Sequence, residues 1–390
     1  MRIALIGPFA LEPKGTTSGR ALPLAAALAR RGHEVLLIVP PWDNPAYSGR
    51  RMSLQGVDVW HTPLPHRFPP VWYPLLTWRT LRQALRHRPQ VIHVFKPKAF
   101  SGLVAMSCWL LKRAGTVSAR LVVDTDDWEG KGGWNELGPY GPLQRRVFAF
   151  QEPWGLRHAD AVTTASRALS SMVSQAGVPE ARIFYVPNGA SGSIQGFSPS
   201  ETQGDTQDLT LLLYTRFFEF QSRRLVAIFQ EVLRQVPQAR LLIVGQGLHG
   251  EEREVSRLVE EAGIGDRIEM AGWTRPEDLP PYFQRAHVAI YPLDDTLVNR
   301  TKCPLKLVEL MGAGLPVVAD RVGQAAEYIV DGESGLLAPP ADVQGFAGRV
   351  VRLLQDAGLR RRLGHEARTR ILTEFHWDRL AERAEDAYRA

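Results

Sequence analysis

Short apolar runs alternate with longer stretches of helical periodicity through the first half of the chain. The runs are rich in Val, Ile and Leu and occupy residues 2–7, 35–40, 91–95, 121–124, 161–164 and 183–186. Residues 19–31 form one of the intervening helical patterns, and Gly32 supplies the glycine that commonly ends a helix. Strands that are apolar throughout and separated by helices predict a parallel sheet covered on both faces.

A second region of the same kind follows a polar, turn-rich segment. Residues 190–207 are rich in Ser, Gly, Gln and Thr, which predicts a domain linker over 191–209. Beyond it, apolar runs at 209–214, 239–245, 267–272, 287–291 and 315–319 again alternate with helical stretches. The pattern predicts an α/β protein with two Rossmann-like doubly wound domains, 1–190 and 210–372. They would face across a cleft, where ligands bind at the carboxyl ends of the strands.

Composition excludes a small binding module and a disordered chain. The sequence has 390 residues, of which 44% are apolar and 23% charged, enough for two cores. Cys108 and Cys303 are too few for a disulfide framework or a cysteine-based zinc site, which indicates a reducing compartment. The first apolar run stops at Gly7 and Pro8, unlike a signal peptide, and no later run reaches the roughly 20 residues of a spanning helix. We expect a cytoplasmic protein.

Positive charge is concentrated in one part of the chain. The net charge is +6, but residues 59–123 contain no Asp or Glu and ten Lys or Arg, so the remainder is net acidic. Such a block favours an anionic partner, either a membrane surface or a phosphorylated substrate, over nucleic acid.

Residues 68–88 interleave aromatic, leucine and arginine residues within this basic block. On a helix from Leu75, Leu81 and Leu85 share one stripe while the arginines can extend outward, as in interfacial helices. An ordinary core-facing helix with a basic solvent side fits the same pattern. Together with the basic block, the segment predicts peripheral binding to anionic lipid at the inner face of the cell membrane.

Residues 302–319 carry the most specific chemical pattern. Pro304 is expected at the first helical position, where a missing N–H costs nothing, and the free N–H groups near Leu305 and Lys306 would form an anion site. Lys306 and Glu309 share one helix face, while Leu305 and Val308 are expected to pack in the core. The pair suits a nucleotide, with phosphate at Lys306 and ribose hydroxyls at Glu309. A plain surface Lys/Glu pair is the alternative.

The same stretch resembles the signature of the GT-B glycosyltransferases of retaining family 4, also called group 1 glycosyl transferases. Similarity extends over nearly the whole chain, through residues 31–35, 159–166, 186–189, 242–247, 271–273 and 331–337. The resemblance implies transfer of a hexose from a nucleotide-diphosphate sugar to a hydroxyl of a glycan or lipid-linked acceptor, with retention and without a metal or other cofactor. It also implies that a C-terminal helix, 373–390, returns to the first domain.

The resemblance assigns donor-binding roles to particular residues. Glu309 corresponds to the second glutamate of the family signature and would bind the ribose, whereas Thr301 occupies the position of the first glutamate. Arg216 corresponds to the family's arginine that neutralises the diphosphate. Arg224, or else Arg223, would replace the family's lysine, with Arg224 preferred.

Three loop residues are further candidates for substrate binding. Gly15 stands in the family's glycine-rich loop after the first strand, where backbone approaches the substrates. Gly245 begins a Gly-x-Gly turn that is expected beside the nucleotide. Trp273 lies in the loop that holds the base in the family, and it could stack there or belong to the core.

An acidic cluster at 124–129 follows a predicted buried strand. Asp126 stands where the family commonly has a histidine, so we expect Asp126 and Asp127 to recognise sugar or acceptor hydroxyls. An alternative is a metal-dependent transferase in which Asp124 and Asp126 hold a divalent ion. Thr301 and the missing Lys-Gly leave a second alternative, a non-catalytic relative that binds sugar nucleotides or glycans.

Overall fold

The computed structural model describes residues 1–12, 15–65, 69–190 and 209–390. The chain forms two compact units. The first unit comprises Met1–Gly189, Thr301–Cys303 and Trp377–Ala390, and the second comprises Ala190–Arg300 and Pro304–His376. Except for Leu209, the predicted linker at 191–209 lies outside the described residues, as do residues 13–14 and 66–68, which include the first residue of the segment 68–88.

The first unit is built on an eight-stranded sheet with the order β3-β4-β2-β1-β5-β6-β7-β8. Its strands are β1 (Arg2–Ile6), β2 (Glu34–Val39), β3 (Arg51–Leu54), β4 (Val57–His61), β5 (Val91–Phe95), β6 (Arg120–Thr125), β7 (Ala161–Thr164) and β8 (Ile183–Tyr185). All neighbours are parallel except β3 and β4. These two form an edge hairpin that the apolar pattern did not predict, because its residues alternate in exposure. Its turn places both Gln55 and Gly56 at positive φ.

Helices cover both faces of this sheet. They are α1 (Leu22–Arg30), α2 (Pro69–Arg86), α3 (Ala99–Arg113), α4 (Trp134–Leu137), α5 (Pro142–His158), α6 (Arg167–Gln175) and, in chain order the last of the molecule, α15 (Trp377–Arg389). A π-helical turn, Thr17–Ala21, precedes α1. The expectation that α2 begins at Leu75 was wrong, because the helix starts at Pro69 and contains Pro74.

The C-terminal helix α15 belongs to the first unit. Trp377, Leu380 and Ala384 are buried in the same apolar cluster as α1. At the surface of this packing, the Arg31 guanidinium donates to Glu385 at 2.6 Å. This hydrogen bond holds the pKa of Glu385 at about 2.

The second unit contains a six-stranded, fully parallel sheet with the order β11-β10-β9-β12-β13-β14. Its strands are β9 (Thr210–Thr215), β10 (Arg240–Gly245), β11 (Ile268–Gly272), β12 (Val288–Tyr291), β13 (Val317–Asp320) and β14 (Leu336–Ala338). Its helices are α7 (Ser222–Gln235), α8 (Glu251–Glu261), α9 (Pro280–Arg285), α10 (Leu297–Thr301), α11 (Leu305–Gly312), α12 (Ala325–Tyr328), α13 (Val343–Gln355) and α14 (Ala357–Glu374). Two parallel-sheet α/β units confirm the predicted fold class. Within the described residues, none of the helices combines the length and apolar character needed to span a membrane.

Candidate functional site

The carboxyl edge of the second sheet brings together Tyr214, Lys306 and Glu309. Tyr214 is near the end of the central strand β9, and the other two lie on α11. The Lys306 Nζ lies 3.5 Å from the centroid of the Tyr214 ring, and the Tyr214 hydroxyl donates a hydrogen bond to the Glu309 carboxylate. The predicted Lys306/Glu309 face is therefore present. Tyr214 was not predicted, since a tyrosine in an apolar strand gives no separate signal.

Burial sets the protonation of this cluster. It raises the pKa of Glu309 to about 7, although the nearby Lys306 charge and the Tyr214 hydrogen bond oppose the shift. Burial also raises the pKa of Tyr214, and the Glu309 charge adds to that effect. The Glu309 carboxyl group therefore titrates close to neutral pH, so that a bound ligand can change its charge.

The start of α11 differs from the sequence prediction in two details. Pro304 is the capping residue before the helix, with ψ of 93°, and Leu305 is the first helical residue. Leu305 is only partly buried, whereas Leu307 and Val308 are fully buried, so the expectation that Leu305 packs in the core was wrong. The helical period turns residues 307 and 308 inward and leaves the first turn near the surface.

Arg216 follows β9 directly and is exposed. The Glu219 carboxylate accepts hydrogen bonds from the Arg216 backbone N–H and from the Thr215 hydroxyl. Phe217 adopts a positive φ of 66° in the same turn. The loop that presents Arg216 is therefore held by Glu219 and not by the Arg216 guanidinium.

Arg224 and Arg223, the two candidates for the second phosphate-binding cation, have different environments. The Arg224 guanidinium is nearly buried and lies 2.6 Å from Asp320 and 3.3 Å from Asp294. Two carboxylates already compensate its charge. Arg223, one position earlier on α7, is exposed.

Gly245 ends β10, and Trp273 lies in the loop that follows the neighbouring strand β11. Gly245 has a φ of 137°, and a Cβ there would overlap the Thr215 carbonyl oxygen. Close approach of two strand ends therefore requires this glycine. Trp273 is 67% exposed, so the interpretation as a core residue was wrong. It lines a surface pocket of about 660 Å³ together with Arg275 and Tyr282.

Thr301 is buried and belongs, with Lys302 and Cys303, to the first unit. Its carbonyl accepts a hydrogen bond from the Ser166 hydroxyl at 3.0 Å. The position of the first signature glutamate is thus filled by an enclosed threonine.

A buried ion pair crosses the carboxyl edge of the first sheet. Arg20 Nε and Nη2 donate to the two Asp124 oxygens at 2.8 and 2.6 Å, and the Thr163 hydroxyl donates at 2.6 Å. Burial alone would lower the pKa of Arg20, but the adjacent Asp124 carboxylate raises it instead. Protein donors therefore engage both Asp124 oxygens. In the metal-dependent alternative, Asp124 would have to share these oxygens with a cation or give up its pairing with Arg20.

Lys96 organises the remaining acidic residues at this edge. Its Nζ lies 3.1 Å from Asp126, 2.8 Å from Asp127 and 3.2 Å from Glu129. Adjacent strands β5 and β6 bring these residues together, because Lys96 follows one strand and the aspartates follow the other. Lys96 adopts a positive φ of 50°, a strained conformation typical of functional loops.

The two predicted aspartates have different environments. Asp126 is buried and also accepts a hydrogen bond from the Thr16 hydroxyl at 3.0 Å, next to the exposed Gly15. Asp127 is about one-fifth exposed at its side chain. Burial raises the pKa of Asp127 to about 6, against the opposing attraction of Lys96. Asp127 is therefore the more accessible of the two.

Glu152 on α5 lies beneath this cluster and was not predicted. It is fully buried, and one of its carboxyl oxygens accepts the Glu129 backbone N–H at 3.0 Å. Its other oxygen has no hydrogen-bond partner among the described residues. Burial raises the pKa of Glu152 to about 8, so this carboxyl group carries a proton at neutral pH.

Comparison with known proteins connects both units to one family. Residues 15–189 match the family model described as a glycosyl transferase 4-like domain, and residues 210–356 match that of the glycosyl transferases group 1. The chain is 24% identical to a glycogen synthase of Mycobacterium tuberculosis, over 94% of this chain and 89% of the relative. It is 26% identical to a GDP-mannose-dependent α-(1-6)-phosphatidylinositol monomannoside mannosyltransferase of Mycolicibacterium smegmatis, over 90% of each chain.

Solved structures share the fold of the whole chain. The sucrose-phosphate synthase of Thermosynechococcus elongatus superposes with a TM-score of 0.71 at 23% identity, covering 100% of this chain and 98% of that one. Anabaena Alr3699/HepE, solved with UDP and glucose, gives a TM-score of 0.71 at 17% identity over 98% of each chain. These likenesses confirm the GT-B fold, and the family matches favour the enzyme over the non-catalytic alternative. The chain belongs to the group 1 glycosyltransferases of family 4.

Proposed function

We propose that this glycosyltransferase moves a sugar, with retention of configuration, from a nucleoside diphosphate sugar to a hydroxyl of a lipid-linked or polysaccharide-precursor acceptor. The observation that carries the proposal is the Tyr214–Lys306–Glu309 cluster at the start of α11 in the second unit. The family membership and the nucleotide-using relatives support it.

The cluster has the chemistry that a nucleoside diphosphate requires. The first-turn N–H groups of α11 and the Lys306 ammonium provide positive charge for phosphate, and Glu309 lies one turn further on, where it can accept two ribose hydroxyls. A relative is described as GDP-mannose-dependent, and HepE was solved with UDP-glucose.

Departure of the diphosphate is the step that the protein has to stabilise. Arg216, Arg223 and Lys306 are the cations that we assign to the developing negative charge, in place of a metal ion. Arg216 and Arg223 are exposed, so a ligand can reach both guanidinium groups. No side chain is assigned as a nucleophile.

The acceptor hydroxyl would be recognised in the first unit. Asp126 and Asp127 present carboxylates that accept hydrogen bonds from hydroxyls, and Lys96 offsets part of their negative charge. The basic block of this unit would hold the enzyme at an anionic membrane surface on the cytoplasmic side, beside a lipid-linked acceptor.

A thermal-unfolding panel of UDP-, GDP- and ADP-linked sugars tests the donor assignment. A true donor should raise the melting temperature of the wild-type chain, because a ligand that binds only the folded state stabilises it. Glu309→Gln should reduce the shift, and Glu333→Gln, an exposed glutamate of the same unit, should not. An equal shift in both variants would contradict a role for Glu309.

The pKa of Glu309 gives a second readout. Only the ionised carboxylate accepts from both ribose hydroxyls, so lowering the pH protonates Glu309 and weakens the donor. With a pKa of about 7, donor affinity should fall by about tenfold between about pH 8 and about pH 6. Titration calorimetry measures this change, and Glu309→Gln should make the dependence nearly flat.

A further inference from the structure

Helices α2, α3 and α5 of the first unit form one layer, in which α3 packs against both of the others. Their only acidic residue is Glu152, which is fully buried. They carry eight cationic side chains, namely Arg79, Arg82, Arg86, Lys112, Arg113, Arg145, Arg146 and Arg157. The outer surface of this layer is therefore positive and has no exposed carboxylate.

The same layer exposes large apolar side chains. On α5, Leu143 is 75% exposed, Val147 43% and Phe150 56%, at the i, i+4, i+7 spacing of a single stripe. Leu110 on α3 is 60% exposed and Trp78 on α2 is 52% exposed. A solvent-facing helix layer ordinarily places polar residues at these positions, and exposed apolar stripes with polar borders are typical of interaction surfaces.

A cationic pocket lies where α3 and α5 end. It has a volume of about 480 Å³ and is lined by Trp109, Lys112, Arg113, Arg157, His158 and Arg182, with Asp160 as its only acidic residue. Lys112 forms an ion pair with Asp160. Three guanidinium groups therefore remain in the pocket without a carboxylate partner among its lining residues.

Ordinary helix capping does not account for all of this charge. Cations are common at helix C-termini, and two helix ends contribute about one negative charge in total. The three guanidinium groups carry about three positive charges, about two more than the helix ends can balance. Arg182 lies in a short 3₁₀ turn before β8, and its Nη1 donates to the Ala159 carbonyl at 3.1 Å. Its Nε is buried without a hydrogen-bond acceptor in the described parts of the chain.

The pocket is separate from the acidic cluster around Lys96. The helices α3 and α5 follow β5 and β6, so they begin at the carboxyl edge of the sheet and end at its amino edge. Asp126 and Asp127 lie at the carboxyl edge. The pocket lies at the amino edge. The exposed apolar stripe of α5 runs along the helix from near the carboxyl edge toward the pocket.

We propose that this pocket binds the headgroup phosphate of an anionic phospholipid while the apolar stripe of α5 lies in the membrane interface. Guanidinium groups suit phosphate oxygens, and Trp109 supplies an aromatic wall of the kind found at lipid headgroups. The apolar stripe favours a lipid over a free phosphate, because a soluble anion would leave it uncovered. The inference rests on the proposed membrane association and gives it a specific site.

Vesicle binding distinguishes a specific headgroup pocket from non-specific attraction between the basic surface and anionic lipid. The wild-type chain should bind vesicles of phosphatidylcholine mixed with phosphatidylglycerol and not vesicles of phosphatidylcholine alone. Arg113→Gln combined with Arg157→Gln removes two exposed pocket cations. Arg145→Gln combined with Arg146→Gln removes two from the other end of α5 and serves as the matched control. The pocket variant should lose at least about tenfold more affinity than the control. Equal losses of affinity in the two variants would overturn the proposed headgroup site, because only non-specific electrostatic attraction would then explain binding.

Two further measurements separate lipid from soluble phosphate, and the pocket from the donor site. Thermal unfolding with glycerol 3-phosphate, against chloride at equal ionic strength, reports a soluble ligand. Stabilisation lost only in the pocket variant, with vesicle binding equal in both variants, would overturn the lipid assignment. The thermal shift caused by a nucleotide sugar should persist in the pocket variant. Its absence from the wild-type chain would contradict the donor assignment without affecting the vesicle result.

Discussion

The carboxyl edges of the two sheets hold their charges in different ways. In the first unit, Arg20 is paired with Asp124 and Lys96 with three carboxylates, of which Asp127 is the most exposed. In the second unit, Arg224 is also paired with Asp320, but Arg216 and Arg223 are exposed, and Lys306 lies over an aromatic ring. One edge thus pairs its cations with carboxylates and keeps an excess of carboxylate suited to hydroxyl groups, whereas the other keeps positive charge available for an anion.

This difference separates charges that support the structure from charges that serve a ligand. A buried pair becomes costly when one partner is removed, because the remaining charge stays without compensation. An exposed arginine contributes little to stability, because water replaces its contacts. Substitutions at the two edges should therefore act on different properties of the protein.

Arg20→Met should give the largest effect on stability. It leaves Asp124 buried without its cation, and we expect a loss of about 4 kcal/mol in the free energy of unfolding. Urea-induced unfolding measures this loss. The matched substitution at the other edge, Arg216→Met, should change stability by less than about 0.5 kcal/mol. Similar losses in the two variants would remove the distinction between the edges.

Arg216→Met should instead reduce catalysis. If its guanidinium stabilises the leaving diphosphate, kcat/KM should fall by about 100-fold, mainly through kcat. Initial rates of sugar transfer, with the donor found in the unfolding panel, measure the change. An unchanged kcat would contradict the role assigned to Arg216.

Glu152→Gln should change how the free energy of unfolding depends on pH, because it removes a buried titratable group of the first unit. The pKa of Glu152 is about 8 in the folded protein against an ordinary value of 4.5. The folded state therefore binds this proton more tightly, and the resulting stability is complete below about pH 4.5 and is lost as the pH rises to about 8. At about pH 8 the glutamine variant should be more stable than the wild-type chain by about 4 kcal/mol, against less than about 1 kcal/mol at about pH 5.

Urea unfolding at the two pH values measures the effect of Glu152→Gln. Glu180→Gln, an exposed glutamate of the same unit, is the control and should show no such dependence. Equal stability of Glu152→Gln and the wild-type chain at both pH values would mean that Glu152 is not held protonated.

The elements that the sequence predicted are those with strong local patterns. Apolar strands between helices predicted eleven of the strands, and the observed bounds of β5 and β7 equal the predicted ones. The β3–β4 hairpin and the three-residue strand β14 were missed, because neither contains a continuous apolar run of ordinary length. A continuous apolar run is therefore the signal that predicted the other strands, and strands whose residues alternate with polar ones, or that adjoin turn residues, do not give it.

The candidate site was predicted in part. Lys306 and Glu309 share a face because helical spacing alone places them together, and Arg216 is exposed because it follows a buried strand. The different environments of Arg223 and Arg224 could not be predicted, since they depend on Asp320, which is 96 positions away from Arg224 in sequence. Arg20, Lys96 and Glu152 likewise became visible only through partners distant along the chain.

The sequence by itself determined the two α/β units, the family and the spacing of Lys306 and Glu309, because these follow from local periodicity and from a motif of neighbouring residues. Only the tertiary structure decided which charges are paired, which carboxyl group holds a proton and where a cationic pocket forms. Those properties depend on burial and on distances between residues from separate strands and helices. Sequence order does not contain these distances until the sheets bring the strand ends together.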